Sequence, residues 1–218
     1  KKIRDILRIG LPSAVQGALF TSISMVLART VAVFGDTAIA VQKVGSQIES
    51  ISWMTADGFS AALSSFIAQN HGAGNFERTK RGFRSAFTIM VCWGIFTSLL
   101  LIFAAAPIFR IFIREPEALP LGVHYLVILG FSQLFCCIEI MVGGAFSGFG
   151  KTLPPSITSI VLTSACIPMA MVLSATALGL NGVWWSITIS SILKGTVLLT
   201  LFLLFLRHET RRRQEQRA

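Results

Sequence analysis

Charged residues are absent from four long stretches, Ile9–Ala28, Ser85–Phe109, Ala118–Ile138 and Thr152–Leu193, and crowd into the intervals around them. A helix needs about 20 predominantly apolar residues to cross a bilayer, and each stretch reaches or passes that length. The last is 42 residues long, room for two spans, with Gly179-Leu180-Asn181-Gly182 as the turn between them. The pattern predicts six helical spans, at about 9–34, 37–70, 85–107, 121–146, 154–178 and 183–206. Residues 1–8 read as a cytoplasmic linker and 207–218 as a basic cytoplasmic tail. Gly10-Leu11-Pro12 opens the first span, where Pro is tolerated in a first turn, and Gly35-Asp36 closes it. The second is the weakest by hydropathy, because it carries Lys43, Glu49 and Asp57. Pro168 inside the fifth predicts a kink.

Composition turns this pattern into a class. Apolar residues make up 53% of the chain and charged residues 13%, with a mean hydropathy of +0.71. An ordinary soluble domain is about 25% charged, so a soluble enzyme, a disordered tail and a secreted scaffold are all excluded. The fold class expected is an all-α, polytopic membrane protein, a six-helix transmembrane bundle. Cys92, Cys136, Cys137 and Cys166 all lie in apolar stretches without zinc-ligand spacing and read as buried thiols. The chain opens Lys1-Lys2-Ile3-Arg4 without an initiator Met or a signal peptide, so a piece of a longer protein is expected.

The net charge of +9 reads as topology rather than as a nucleic-acid surface. An even number of spans puts both termini on one side. That side collects Lys1, Lys2, Arg4, Arg8, Arg78, Lys80, Arg81, Arg84, Lys151 and five tail arginines, 14 of the 19 basic residues. The opposite loops hold Arg110 and Arg114. The positive-inside rule then places both termini in the cytoplasm of a plasma or bacterial-type inner membrane. Tyr125, Trp184 and Trp185 fall at the outer span ends, where an aromatic belt is expected.

Enzyme signals are weak. Ala145-Phe146-Ser147-Gly148 has Ala where a G-x-S-x-G elbow needs Gly, and nothing marks His71, His124 or His208 as a base. Metal and phosphate-loop motifs are absent, and no cofactor is expected beyond a coupling ion, H⁺ or Na⁺. Ala56, Ser60, Ser64 and Ala68 form a small-residue stripe, as do Gly144 and Gly148, which suits close helix packing. Ionisable groups inside spans are the sharpest signal, since they cost at least a few kcal/mol each and usually face a cavity or an ion path. Glu49 and Asp57 are about 12 Å apart along one helix and roughly 80° apart around it, with Trp53 between them. That set suits an organic cation or a transported proton. Ion pairing with Arg29, Lys43 or Lys194 and snorkelling are the structural alternatives, and Glu139 is the isolated carboxylate of the fourth span.

Several motifs resemble the multidrug and toxic compound extrusion (MATE) family. Gln47-Ile48-Glu49-Ser50-Ile51-Ser52-Trp53-Met54, leading through Gly58-Phe59-Ser60 to Gln69-Asn70-His71-Gly72-Ala73-Gly74-Asn75, resembles that family's long helix and Q-N-x-G-A-G loop. Ile9-Gly10-Leu11-Pro12-Ser13 resembles the opening of its second half. Gly144-Ala145-Phe146-Ser147-Gly148-Phe149-Gly150-Lys151-Thr152 resembles the turn after its tenth helix, and Pro168 with Leu178-Gly179-Leu180-Asn181-Gly182-Val183-Trp184 fits the eleventh and twelfth.

The resemblance implies helices seven to twelve, the C-terminal lobe of a twelve-helix antiporter. Substrate would lie between this lobe and an N-terminal six-helix lobe, and a Na⁺ or H⁺ gradient would drive export of cationic aromatic compounds. Some members carry an acidic residue where this chain has Phe20, and an Asp near Cys136, one turn before Glu139, so their cation site does not transfer. The residues assigned to a substrate and ion pathway are therefore Asp57, Glu49, Glu139, Trp53 and Arg29. The partners expected are small organic cations, the bilayer and the other lobe, with no nucleic acid. A flippase for lipid-linked oligosaccharides in the same superfamily and a non-transporting membrane scaffold are the alternatives.

Overall fold

A computed structural model describes residues 2–113 and 115–215 of the chain. Lys1, Arg114 and Arg217, counted in the charge asymmetry, lie outside the described residues. The order is α1 (Lys2–Ala32), α2 (Asp36–Gly72), α3 (Phe76–Phe103), α4 (Ala105–Phe112), α5 (Ala118–Gly130), α6 (Gln133–Gly148), α7 (Leu153–Ser174) and α8 (Leu180–Glu215). No strand occurs among the described residues. An apolar chain in lipid must satisfy its backbone internally, and the helix does that within one segment.

Stretches within α1, α3, α7 and α8 are long and apolar enough to cross a membrane, and α5 with α6 makes a fifth candidate if the bent pair is one span. The 37 residues of α2 carry four charged side chains, Asp36, Lys43, Glu49 and Asp57, and are not among these candidates. The helices outrun the predicted segments where polar residues continue a helical pattern. α3 begins at Phe76, so the basic stretch before Ser85 is already helical, and α8 continues through Arg207, Arg211, Arg212 and Arg213 to Glu215. α7 ends at Ser174, and its helix runs on through Pro168.

The predicted fourth segment is two helices that meet at 48°. Gly130 and Ser132 flank the break, the kind of Gly/Ser site where helices kink. The Ser132 hydroxyl donates to the Leu129 carbonyl at 2.8 Å, so a side chain takes over an acceptor at the end of α5. The α1–α2 turn bends at Gly35 with φ of 102°, and the turn after α6 at Gly150 with φ of 68°. Both are left-handed conformations that favour glycine.

Three apolar clusters hold the bundle. At the end of the bundle that carries the α2–α3 turn, Phe83, Phe146, Phe149 and Phe202 interlock with Met90 and Met141. At the opposite end Val41, Phe109, Leu126 and Trp184 form a second core. Ile23, Val31, Cys166 and Val183 pack α1 against α7 and α8. Tyr125 and Trp184 are 3% and 0% exposed and meet edge to face at 5.1 Å, so they belong to the core rather than to an interfacial belt. Cys137 and Cys166 are buried, whereas Cys92 is exposed.

α2 and α6 pack through small residues, as the stripes predict. A side chain at Gly144 would collide with Ser60, and a Cβ at Gly148 would stand 2.7 Å from the Ser64 carbonyl. The Ser60 hydroxyl donates to the Ile140 carbonyl at 2.9 Å. Ala68 is exposed, and Ile67 takes its place against Gly148. A four-residue repeat drifts about 40° per step on a helix with 3.6 residues per turn, so the fourth member has rotated out of the seam.

Candidate functional site

The polar face of α6 carries Glu139, Gly143 and Ser147 at four-residue intervals, and Gly143 has nothing within 4 Å of where a Cβ would stand. That missing bulk opens a cavity of about 230 Å³. Asp57 of α2, Gln16 of α1, Leu198 of α8, and Pro155, Ser156 and Ser159 of α7 also line it. At 1.5 Å per residue, Asp57 lies roughly 22 Å from the Gly72 end of α2 and Glu139 roughly 14 Å from the Gly148 end of α6. A hydrocarbon core is about 30 Å thick, and both distances fall within it.

The two carboxylates are held differently. Glu139 accepts a hydrogen bond from the Ser159 hydroxyl at 3.1 Å on Oε1. Its Oε2 pairs with Lys194 Nζ at 3.3 Å, and both side chains are mostly buried. Asp57 is in neither the Glu139–Lys194 nor the Glu77–Lys80 ion pair. It is exposed at the cavity and, unlike Glu139, has no cationic partner among the described residues. The Ser156 hydroxyl, buried in the cavity wall, has no hydrogen-bond partner.

Glu49 belongs to a different place. It is 1% exposed, and its Oε1 has no hydrogen-bond partner. Its neighbours on α5 and α6 bracket it: Gly45 faces Tyr125 one turn before, and Ser52 meets Cys137 at 3.7 Å about one turn after. Glu49 thus sits opposite the α5–α6 break, with Tyr125 and Cys136 in electrostatic range. Trp53 is partly buried beside it, and its indole N–H has no partner. Arg29 is exposed on α1 and pairs with neither Glu49 nor Asp57.

Of the five residues assigned from sequence, the cavity brings together Asp57 and Glu139 and leaves Glu49, Trp53 and Arg29 elsewhere. Gln16, Ser156 and Ser159 were not distinguishable from other polar residues in apolar runs. Lys194 was visible as the only charge in its stretch. A lone lysine and a lone glutamate in neighbouring membrane helices are the signal of such a pair, because each lowers the cost of burying the other.

A lobe of apolar helices with ionisable side chains around a cavity defines a multi-pass membrane transport protein. The MatE family model matches residues 12–172, and the chain belongs to that family. Members of this family are secondary transporters rather than enzymes. The probable multidrug resistance protein NorM of Thermotoga maritima is 30% identical over 202 residues, which cover 92% of this chain and 44% of that protein. Human multidrug and toxin extrusion protein 1 is 24% identical over 169 residues, 77% of this chain and 30% of that one. The crystal structure of a MATE protein in its bent conformation superposes with a TM-score of 0.88 at 21% identity, over 96% of this chain and 47% of that one. The fold is that of one lobe of a MATE structure, and the chain spans less than half the length of these relatives.

Proposed function

We propose that this chain acts as the C-terminal lobe of a cation-coupled exporter. Six-helix repeats related by an axis along the membrane normal are a known transporter design, and the partner here is an N-terminal lobe of similar size. The transported species are organic cations, and H⁺ or Na⁺ is the coupling ion. The observation that carries this reading is the carboxylate of Asp57, without an ion-pair partner in the cavity it shares with Glu139. A charge at this depth is retained when it meets a cation or a relay. A flippase for anionic lipids needs the opposite sign, and a passive scaffold has no use for the charge.

The experiment is ethidium efflux from cells that express the intact transporter. Export should collapse with an uncoupler or on removal of the Na⁺ gradient, and Asp57→Asn should reduce it tenfold or more while leaving membrane expression unchanged. Normal export by Asp57→Asn would sink the reading. The basic asymmetry supports an orientation with both ends of the chain and the Asn70–Arg84 region in the cytoplasm. An external thiol reagent should then label a cysteine placed at Glu117 and not one at Glu77. The reverse pattern would invert the lobe.

A further inference from the structure

The lysine at the cavity's edge is a charge with a specific consequence. Lys194 is 8% exposed, and its position on α8 is fixed by close packing, since a Cβ at neighbouring Gly195 would meet the backbone of Phe135 at about 2.5 Å. Lys194 reaches Glu139 Oε2, while Ser159 donates to Oε1, so each oxygen of that carboxylate already has a partner. Lys194 is not part of the cavity lining, whereas Glu139 is. The ammonium therefore neutralises Glu139 from outside the cavity wall, and the charge a cation in the cavity would meet on this side is already taken. Asp57, on the α2 side, has no such partner.

We propose that Lys194 is a tethered counter-cation that fills the Glu139 half of the site, so that the cavity takes one monovalent cation at Asp57 instead of two. The inference rests on the cavity being a cation site, as proposed above, and adds how many charges it accepts and why. An ammonium and an alkali cation compete for the same carboxylate oxygens. With Lys194 neutral, Glu139, the Ser159 hydroxyl and the unpartnered Ser156 hydroxyl would present hard oxygen ligands, which suit an alkali cation. The tether keeps that half closed to free ions, so the number of small cations bound to the lobe is set by a residue that faces no substrate.

The test counts ²²Na⁺ bound to the purified, intact transporter by scintillation proximity, a readout that needs no transport. Lys194→Met should bind one more equivalent of Na⁺ than the unmodified protein, and Lys194→Arg should bind no more than it. The double variant Lys194→Met with Glu139→Gln should lose the additional equivalent. If the Met variant does not fold, Lys194→Gln, which keeps an amide donor to Glu139 without the charge, should show the same gain. A folded neutral variant with unchanged Na⁺ stoichiometry, or a gain that survives Glu139→Gln, overturns the proposal. Failure of ethidium export by the unmodified transporter would refute the exporter reading instead, and the Na⁺ count would still decide the role of Lys194.

Discussion

Glu139 and Glu49 are the same side chain in adjoining parts of one bundle, and their surroundings are opposite. Glu139 lies on the α7–α8 side of α6, with a lysine on one oxygen and a serine on the other. Glu49 lies in the seam between α2 and the α5–α6 break, more deeply buried, with an oxygen that no donor reaches. Desolvating an ionised carboxylate costs several kcal/mol, which a cation and hydrogen bonds offset only when geometry is good. Glu139 has that compensation and persists as half of an ion pair. Glu49 has none, so its ionised form would carry the full desolvation cost. Intramembrane charge is thus two different things in this lobe: a fixed electrostatic element at the cavity, and an uncompensated group inside the packing.

The largest effect on stability that separates them is expected from Glu139→Gln. It removes the carboxylate and leaves the Lys194 ammonium buried without a counter-charge, a loss of about 3–5 kcal/mol for a broken buried pair. Thermal unfolding of the purified transporter should show the loss, and removing both charges with Lys194→Met should recover most of it. An unchanged melting temperature for Glu139→Gln would mean that Lys194 finds water or another acceptor, and the contrast with Glu49 would weaken.

Gly148→Val probes the seam itself. The added side chain meets the Ser64 carbonyl and Ile67 at 2.7 and 2.8 Å from its Cβ alone, and overpacking of this kind costs about 1–3 kcal/mol. Fluorescence-detected size exclusion after heating should show earlier loss of the monodisperse peak. Gly143→Val, on the open cavity side of the same helix, should be tolerated. Equal damage from both would show that the two faces of α6 are not packed differently.

Much of this was legible in the chain. The charge-free stretches, the Gly35 turn and the Gly144/Gly148 stripe follow from rules with a fixed period or a fixed length, and they predict helices and a seam that the structure contains. The α5–α6 break was not legible, because its apolar run is continuous and the bend comes from a Gly and a Ser two residues apart. The site was half legible. Hydropathy marks every buried charge alike, so it raised Glu49, Asp57 and Glu139 together. Helical angle alone put Glu49 and Asp57 on one broad face; the neighbours of α2 separate them, and those neighbours come from α1, α6 and α7, distant in sequence.

The smallest expected effect is also the sharpest test of the comparison. Glu49→Gln keeps the shape of the side chain and removes only its capacity for charge. Because Glu49 has no ion pair and no donor on Oε1, the substitution breaks no interaction that holds the fold. Volume-conserving changes in a core usually cost less than about 1.5 kcal/mol, and here the melting temperature should stay level or rise, against a clear fall for Glu139→Gln. Export should separate from stability in the same variant. If Glu49 exchanges a proton or a cation with the path during the cycle, Glu49→Gln slows ethidium efflux in a fully folded protein, by less than Asp57→Asn does. A marked fall in melting temperature for Glu49→Gln would mean that the buried carboxylate has a partner in the intact transporter, and the two glutamates would then be variations of one design.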